Sequence, residues 1–466
     1  MSKVDLALAA PSGDATGAIR AAASKLQESG GGRLLLTGHF KINVPAGESL
    51  VALKDARDVV IDASKAILDD SAILFDKPTF TPIFLFDGGE NITVTIGEYR
   101  GVPLPDPQTQ MGYRGAILVR AIKGAKGIAI DVARASNLRY GLQTGAYDDA
   151  SNGQCSNIDV KIRGTMIGYS VAAYLADDLR FNVDIDGVHR AVYLGGCSKV
   201  SGVARWRDQY IAPIAVLLTD ALAAGNDRDA QADPVRKPTR SRGCSEIDVQ
   251  SIDKGSKIFQ AGSVCAGIAL SRVDPCVFRD IRIRVSSKGT DTVSTKVGAF
   301  HIYSGANEVW KRYPSNWRPE VVFENISVSG LIDHSESSLE GNGLSELSVK
   351  AYDKDPANAA TFKNISFDGL TILPSRARQR ALNFEVPGLA GIASFRGFRA
   401  PGMTLGLRTN DRHDSLMADC EFGELDVRHV VGGSRVVVGQ GCVIGKETSD
   451  GPTSNTKLEG GKIGGP

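Results

Sequence analysis

The residues best suited to acid–base chemistry lie in the middle of the chain, in four short segments: NLRYGLQTG, AYLADDLRF, GVHRAVYLGG and ARWRDQY. The candidate catalytic residues are Tyr140, Asp178, His189, Arg190, Arg207 and Asp208. In β-elimination on a uronate-containing polysaccharide, a cation neutralises the carboxylate so that the C5 proton becomes removable. A His, Tyr or Lys base takes that proton, and a Tyr or His returns one to the leaving oxygen. The Arg, Tyr and His content favours this reaction.

Two other functions stay open from the same residues. Asp177, Asp178 and Asp208 would suit glycoside hydrolysis or glycosyl transfer, in which two carboxylates flank the bond that breaks. A glycan-binding spike without catalysis would use the same aromatic side chains and need no acid or base. A surface ladder of ion pairs would also explain any single one of these residues.

The aromatic residues that adjoin bases predict where a sugar binds. Aromatic faces stack on the apolar faces of sugar rings, and guanidinium groups bind carboxylates. The three tryptophans stand in ARWRDQY and NEVWKRYPSNWRP, and each of them could instead pack under a loop. The candidate substrate-binding residues are Arg139, Trp206, Tyr210, Arg242, His301, Tyr303, Trp310 and Arg312.

A long interruption between residues 219 and 243 supplies the Arg242 in that set. It changes from acidic to basic along its length and reads TDALAAGNDRDAQADPVRKPTRSRG. Long loops in compact folds are usually functional or disordered. A loop here would either form a wall of a groove or be a solvated, partner-binding insertion.

Repeated short strands must position these residues. CSNIDVKI at Cys155–Ile162 and CSEIDVQS at Cys244–Ser251 share a cysteine, a serine and an alternating apolar pattern, and CSKVSGV at Cys197 is a looser copy. FENISVSGLI and FKNISFDGLT repeat the pattern without the cysteine. Alternation with period 2 followed by glycine predicts a half-buried strand and then a turn.

The spacing of the copies favours a solenoid over a propeller. Intervals of about 40 to 47 residues fit either propeller blades or pairs of coils. The strands are very short, and no series of hairpin turns recurs, so a parallel β-helix fits better than four-stranded blades. Its predicted core includes Ile158, Val160, Ile247, Val249, Ile326, Val328, Ile365 and Phe367.

The cysteines of the repeats are predicted to be buried and unbridged. Free cysteine behaves as a small buried hydrophobe. We expect Cys155, Cys197, Cys244 and also Cys276 to fill the same inward corner of different coils. Cysteines two coils apart would exceed the Cα separation that a disulfide tolerates. The chain has seven cysteines and no CxxC pair, which argues against a metal site.

The N-terminal segment predicts a helix and then a strand. Asp14 or Thr16 is the expected N-cap, glycines at 30–32 end the helix, and RLLLTGHFKI follows as a strand. The expected apolar face of the helix consists of Ala18, Ile19, Ala22 and Leu26. A short amphipathic helix of this kind can cover the first apolar layer of a solenoid.

This opening, DATGAIRAA followed by a Gly-rich turn and a strand, resembles that of the pectate-lyase superfamily of right-handed β-helices. The superfamily includes polysaccharide lyases, polygalacturonase-type hydrolases and phage tailspike depolymerases. The resemblance is specific from Asp14 to about Arg100 and diffuse beyond. It implies an all-β, single-stranded right-handed parallel β-helix with an N-terminal helical cap, and activity on carbohydrate. The polygalacturonase signatures are not intact, so it assigns no catalytic residues.

The expected organisation is a cap at 1–31, a catalytic β-helix at 32–445 with the insertion at 219–243, and a polar Gly-rich tail at 446–466. The expected partner is an acidic polysaccharide. No cofactor is expected, although the family's calcium sites keep Ca²⁺ as a candidate, and tailspikes of this shape suggest a homotrimer. We expect a secreted or virion-associated protein, although no signal peptide is visible in the sequence.

Charge and hydropathy argue against two further classes of partner. The net charge is +1 and 23% of residues are charged, so the broad basic surface of a nucleic-acid reader is not indicated. No apolar stretch of the length of a transmembrane helix occurs in the sequence. Neither nucleic acid nor membrane is therefore an expected partner.

Overall fold

A computed structural model describes most of the chain. The described residues are 3–70, 81–105, 114–145, 155–174, 176–195, 197–209, 214–219, 244–253, 264–271, 276–288, 296–303, 321–333, 335, 345–352, 361–373, 380–385, 389–409, 413–429, 435–449 and 456–464. The chain divides into two compact units. The first comprises Met1–Ile211 and Thr219–Ser241, and the second comprises Ala212–Leu218 and Arg242–Pro466.

One helix and a series of strands make up the described secondary structure. The helix α1 spans Thr16–Glu28. The strands of the first unit are β1 (Val4–Ala9), β2 (Gly32–Lys41), β3 (Val51–Lys54), β4 (Arg57–Asp69), β5 (Pro82–Asp87), β6 (Glu90–Arg100), β7 (Ala116–Ile122), β8 (Lys126–Thr144), β9 (Ser156–Tyr174), β10 (Asp177–Gly195) and β11 (Ser198–Gln209). Those that follow are β12 (Ile214–Thr219), β13 (Cys244–Asp253), β14 (Val264–Ser271), β15 (Cys276–Lys288), β16 (Lys296–Tyr303), β17 (Val321–Asp333), β18 (Ser345–Tyr352), β19 (Thr361–Leu373), β20 (Arg380–Glu385), β21 (Leu389–Arg396), β22 (Arg399–Thr409), β23 (His413–Ala418), β24 (Glu421–His429), β25 (Val436–Gly439), β26 (Val443–Ser449), β27 (Thr456–Glu459) and β28 (Lys462–Ile463).

Parallel pairing between successive coils defines the fold of each unit. In the first unit β4 pairs with β6 and β6 with β8, while β3 pairs with β5 and β5 with β7, so each coil contributes two strands. β8, β9 and β10 are 19 residues long and pair along most of their length. In the second unit the same alternation links β13 to β15 and β14 to β16. The predicted all-β class and parallel β-helix are confirmed.

Stacked apolar side chains form the core of each unit. In the first unit one column runs through Val59, Ile92, Ile128, Ile158, Leu179 and Val200, each at most 1% exposed. Burying a side chain of this size stabilises a fold by roughly 1.5–3 kcal/mol. The predicted core residues Ile158, Val160, Ile326, Val328, Ile365 and Phe367 are all buried. The side chains of the other two, Ile247 and Val249, lie outside the described set.

The asparagine of the repeat turns a corner of the coil. Residues in the position just before the first core residue of β4, β6, β8, β9, β10 and β11 all have φ between 50° and 63°. They are Asp58, Asn91, Gly127, Asn157, Asp178 and Lys199. Glycine, asparagine and aspartate accept this left-handed conformation at the lowest cost. The repeated sequence motif therefore forms a bend followed by a strand whose apolar side chains face the core.

We expect Asn157→Ala to destabilise the protein by about 1 kcal/mol, because alanine with a positive φ meets its own following carbonyl. Asn157→Gly is the matched control and should change the free energy of unfolding by less than about 0.5 kcal/mol. Gly127 occupies the same position one coil earlier. Urea unfolding of the two variants checks this, and equal losses from both would show that the asparagine side chain, not the bend, matters.

The cysteine that precedes this corner is a core residue. The Ser156 N–H donates to Ala125 O, and the Asp177 N–H donates to Cys155 O. Cys155, Ala176 and Cys197 thus follow one another in adjacent coils, all at most 1% exposed. Burial raises the pKa of the Cys155 thiol to about 11, which keeps it protonated and unreactive. Ala176 separates the two thiols, so they cannot form a disulfide.

The expectation for Cys276 was wrong. In the pairing of β13 with β15, Cys244 lies opposite Phe278, and Cys276 lies two residues earlier, opposite Val321 of β17. The column of Cys244 continues through Phe278, Phe323 and Phe362. Phenylalanine therefore takes the position of the repeat's cysteine in these coils. The repeated motif begins with either cysteine or phenylalanine at this position.

The ends of the chain contain more strand pairing than the sequence indicated. β1 lies before α1 and pairs in parallel with β2, and β27 and β28 continue the pairing into the predicted tail.

The buried face of α1 includes Ile19, Ala23 and Leu26, whereas the predicted Ala18 is exposed. The N-cap residue is Ala15, so the expectation of Asp14 or Thr16 was wrong. Hydrogen bonds from the Thr16 side chain and from the Thr16 N–H, the latter at 2.9 Å, lower the pKa of the Asp14 carboxyl. A capping role for the helix stays a prediction.

Candidate functional site

Strands β8, β9 and β10 bring two of the four predicted catalytic segments, those of Tyr140 and of His189 with Arg190, into one register. Tyr140 of β8 lies opposite Tyr169 of β9, which lies opposite Arg190 of β10. Three residues further along, Gln143 lies opposite Ala172, which lies opposite Tyr193. Neighbouring parallel strands are separated by about 4.8 Å, so side chains in such columns contact one another.

The Gln143 column faces outward. Traced back through β7, β5 and β3, it becomes progressively exposed: Arg120 and Leu85 are half-buried and Ala52 is exposed. The neighbouring inward column is fully buried and consists of Val51, Phe84, Val119, Leu142, Val171 and Val192. Residues of the Gln143 column therefore lie on the outside of the coil.

The Tyr140 column faces outward too. A Cβ atom on the following residue, Gly141, would lie 2.5 Å from Cδ1 of the buried Ile162, so position 141 faces the core. Tyr169 and Arg190, which lie in register with Tyr140, are half-buried, so this column lies on the outside of the coil. The two outward columns meet, since the Tyr169 and Tyr193 ring centroids are 6.2 Å apart. We call this surface the tyrosine groove, formed by Arg139, Tyr140, Gln143, Tyr169, His189, Arg190 and Tyr193.

Tyr169 is the central ring of the groove. It stacks on Tyr140 with centroids 4.8 Å apart and an interplanar angle of 16°. The His189 ring approaches it edge-on at 5.1 Å. Tyr169 is half-buried, whereas Tyr140 and His189 are 7% and 3% exposed. The two candidate acid–base residues thus both contact one half-buried aromatic ring.

Sequence reasoning missed Tyr169, although a signal was present. LRYGLQT and MIGYSVAAY each place a tyrosine at the same distance before a buried pair, and the structure puts the two tyrosines in register. The repeat is most evident at its cysteine end, whereas the two tyrosines lie near the far end of the long strands. Aligning the whole coil would have found this residue.

Two guanidinium groups lie against the rings. Cζ of Arg139 is 5.2 Å from the Tyr140 centroid, and Cζ of Arg190 is 5.4 Å from the Tyr193 centroid. Nε of Arg190 is buried, and within the described part of the chain no group accepts a hydrogen bond from it. A buried cation is costly unless an anion or an acceptor satisfies it. The groove therefore contains a guanidinium group whose buried Nε has no hydrogen-bond acceptor among the described residues.

The predicted acidic residue Asp178 lies elsewhere. It is one of the corner residues, with a φ of 53°, and its carboxylate is 3.7 Å from Arg180. Its neighbour Asp177 pairs with Lys199 at 3.5 Å. Asp178 and His189 are eleven positions apart on β10, and the structure gives Asp178 a role in the bend. It is not brought into the tyrosine groove.

The region around Trp206 differs from the sequence interpretation. Trp206 is 2% exposed and lies opposite the buried Ile185, so it packs in the core and offers no face to a sugar. Arg207, next to it, pairs with Asp184 at 3.2 Å on the surface. Asp208 belongs to β11, and its side chain is outside the described set.

The remaining predicted binding residues are not described in atomic detail. Tyr210, Arg242, Trp310 and Arg312 lie outside the described residues. His301 and Tyr303 belong to β16 by their backbone, where they pair with Ala269 and Ser271 of β14, and their side chains are outside the described set. Their binding roles stay predictions.

The residues that the structure describes contain neither a metal site nor a membrane-spanning helix. In those residues no three His, Cys, Asp or Glu side chains are grouped so as to hold a metal ion. No described helix has the length and apolar character needed to cross a membrane. The calcium ion, the homotrimer and the secreted or virion-associated location stay predictions.

Comparison with known proteins gave likeness in structure alone. No protein-family model and no curated protein sequence matches the chain. A tailspike protein mutant of E. coli bacteriophage HK620 is 10% identical, covering 97% of this chain and 75% of that chain with a TM-score of 0.44. The surface adhesin PfbA of Streptococcus pneumoniae is 10% identical, covering 96% and 92% with a TM-score of 0.34. An exopolygalacturonase from Thermotoga maritima is 11% identical, covering 98% and 93% with a TM-score of 0.33.

The fold is assigned from the strand pairing within this chain, because the TM-scores of these structures are all below 0.5. The registers of β2 to β11 and of β13 to β28 are parallel wherever they are described, and two strands or one long bent strand complete each coil. On that ground, the chain is a parallel β-helix protein with an aromatic and cationic groove on β8 to β10.

Proposed function

We propose that this protein cleaves an acidic polysaccharide by β-elimination in the tyrosine groove. The observation that carries the proposal is Arg190, a half-buried guanidinium beside Tyr193 whose buried Nε has no hydrogen-bond acceptor among the described residues. A uronate carboxylate would satisfy it with charge-assisted hydrogen bonds. The half-buried Tyr169 ring would stack on the sugar.

Each step of the elimination has a candidate side chain. Arg190, with Arg139 nearby, neutralises the carboxylate and makes the C5 proton acidic. His189 accepts that proton, and the C5–H electron pair becomes the new C4–C5 double bond as the C4–O bond breaks. Tyr140 donates its phenolic proton to the leaving oxygen. Proton transfer back from His189 to Tyr140 through solvent restores both groups.

The burial of the base and the acid supports this assignment. His189 and Tyr140 are 3% and 7% exposed, while Tyr169, Arg139 and Arg190 are half-buried. Electrostatic interactions are stronger where water is excluded. A developing charge at C5 would therefore be stabilised by the guanidinium groups more strongly in the groove than on an open surface.

The anion-binding role of Arg190 can be tested by affinity. We expect a uronate oligosaccharide to bind the wild-type protein at least ten times more tightly than its carboxyl-reduced counterpart. Arg190→Gln should remove most of that preference, because hydrogen bonds to charged groups contribute about 1.5–3 kcal/mol. Arg163→Gln, an exposed arginine of β9, is the matched control and should leave the affinity within about twofold. Equal binding of both oligosaccharides, or no effect of Arg190→Gln, would contradict the proposal.

A further inference from the structure

Two cysteines of the second unit lie next to each other in successive coils. Cys420 directly precedes β24, and Cys442 directly precedes β26. Glu421 of β24 lies opposite Val443 of β26, and the Val443 N–H donates to Cys420 O at 2.8 Å. The two cysteines therefore occupy equivalent positions one coil apart, whereas an alanine separates the two described cysteines of the first unit.

Both side chains point into the core of the second unit, and their thiols interact. Cys420 is 1% exposed and Cys442 is 2% exposed, and both are free thiols in the structure. Sγ of Cys420 lies 3.2 Å from Phe395 O and 3.2 Å from Ala418 O. Burial, with a smaller contribution from the adjacent Cys442 thiol, raises the pKa of the Cys420 thiol to about 12. The two sulfur atoms thus share one buried compartment.

The separation of these two positions suits a disulfide. Neighbouring parallel strands lie about 4.8 Å apart, and cysteines joined by a disulfide have Cα atoms roughly 4.4–6.8 Å apart. Equivalent positions of successive coils also direct their Cβ atoms the same way, so the two side chains do not point apart. Cysteines with a whole coil between them, such as Cys155 and Cys197, exceed that range.

We propose that Cys420 and Cys442 form a disulfide that ties the coil of β24 to the coil of β26. The thiolate of one cysteine attacks a low-molecular-weight disulfide such as oxidised glutathione, and a mixed disulfide forms as the first small thiol leaves. The second cysteine then displaces the other small thiol. Two protein S–H bonds and one small S–S bond are thereby replaced by one protein S–S bond and two small thiols, so protons and electrons balance.

The burial of both thiols determines when the bond forms. A thiol with a raised pKa is rarely a thiolate at neutral pH, and a buried thiol is out of reach of glutathione. We therefore expect the exchange to take place while the second unit folds, before the core closes over the two sulfur atoms. Once closed, the core shields the bond from small reductants in the same way.

Refolding from urea in a mixture of oxidised and reduced glutathione tests the bond. The thiol count in urea should fall from seven to five, because the chain has seven cysteines and the bond uses two. Trypsin cleaves after Arg428 and Arg435, so Cys420 and Cys442 fall in different peptides. Once free thiols are alkylated, mass spectrometry should find these two peptides joined, and separated by dithiothreitol. Seven free thiols, or bonds between other cysteines instead, would overturn the proposal.

Urea unfolding of two variants tests whether the bond ties the coils together. In the wild type the disulfide should raise the urea midpoint by about 1 M relative to the reduced protein. Cys442→Ala should abolish this difference between oxidised and reduced samples. Cys155→Ala, equally buried in the first unit, is the matched control and should keep both the joined peptides and the difference. Equal midpoints of oxidised and reduced wild type would contradict the tie, and this comparison decides alone should Cys442→Ala fail to refold.

Discussion

Replacing His189 with alanine should lower turnover of an acidic polysaccharide about 100-fold or more, the usual size of a lost general base. The imidazole lies edge-on to Tyr169 at 5.1 Å, and Tyr140 stacks on the same ring at 4.8 Å. Its replacement removes the group that is proposed to take the C5 proton. Tyr140→Phe should cost about as much, since the ring stack remains while the phenolic proton is lost. Initial rates of substrate cleavage provide the measurement.

The matched control for the histidine is His39→Ala. His39 lies on the surface of β2 and contacts Asp69 at 2.9 Å, and it is not part of the tyrosine groove. Its replacement should leave the cleavage rate within about twofold, as surface ion pairs contribute little. Wild-type rates in both His189→Ala and Tyr140→Phe would show that the reaction takes place in a different groove.

Replacing Asp70 with asparagine should stabilise the protein at alkaline pH. Asp70 follows β4 directly, is 0% exposed, and accepts a hydrogen bond from the hydroxyl of the equally buried Tyr99. Burial raises the pKa of the Asp70 carboxyl from 3.8 to about 7, against the lowering effect of the Tyr99 hydrogen bond. The fold therefore favours the uncharged acid.

The sign of the pH dependence follows from that shift. Because the folded pKa lies above the unfolded one, the contribution of Asp70 to stability is complete below pH 3.8 and is lost as the pH rises through about 7. The loss amounts to about 4 kcal/mol at pH 8. Asparagine stays neutral, so Asp70→Asn should have a larger free energy of unfolding than the wild type at pH 8 and a similar one at pH 4.

Asp62→Asn, in strand β4, is the control, because its effect on stability should depend on pH in the opposite direction. Hydrogen bonds from Ser64 and Arg33 lower the pKa of the Asp62 carboxyl, so its charged form stabilises the fold above that pKa. This substitution should lower stability at pH 8 and matter less at pH 3. Urea unfolding at pH 3, 4 and 8 measures both variants. A pH-independent difference between Asp70→Asn and the wild type would mean that Asp70 does not titrate in this window.

Strand periodicity made most of the fold predictable. Ile158 and Val160 alternate with polar residues, and this pattern alone placed them in the core where they are found. The left-handed corner at Asn157 was less visible, because asparagine also suits turns and caps, and its φ becomes evident only when Gly127 and Asp178 take the same position in adjacent coils.

The interpretation of Trp206 shows how local composition misleads. Bases on both sides of a tryptophan suggested a sugar-binding surface. In a strand, however, the alternation Arg205, Trp206, Arg207 places the two arginines on one face and the tryptophan on the other. The arginines are half-buried and the ring is buried. The same period-2 argument that located the core would have assigned this residue correctly.

The groove itself depends on register, which the sequence does not contain. Tyr140 and His189 were singled out separately, but Tyr169, which joins them, becomes apparent only when β8, β9 and β10 are aligned. Insertions of unequal length separate these strands, so no fixed interval predicts the alignment. Buried atoms such as Gln143 Oε1 are a property of packing and are invisible at the level of sequence.

The central claim is that cleavage proceeds by elimination, and the most direct measurement is the ultraviolet absorbance of the product. Elimination leaves a carbon–carbon double bond conjugated with the uronate carboxylate, whereas hydrolysis leaves a saturated sugar. A panel of uronate-containing polysaccharides, homopolymers and mixed polymers alike, would be incubated with the protein under continuous absorbance reading, with reducing ends counted in parallel. We expect absorbance and reducing ends to rise together, in equal molar amounts, and to stop rising in Arg190→Gln. New reducing ends without the absorbance would contradict elimination and indicate hydrolysis by a carboxylate pair, and binding without new ends would indicate a glycan-recognition protein.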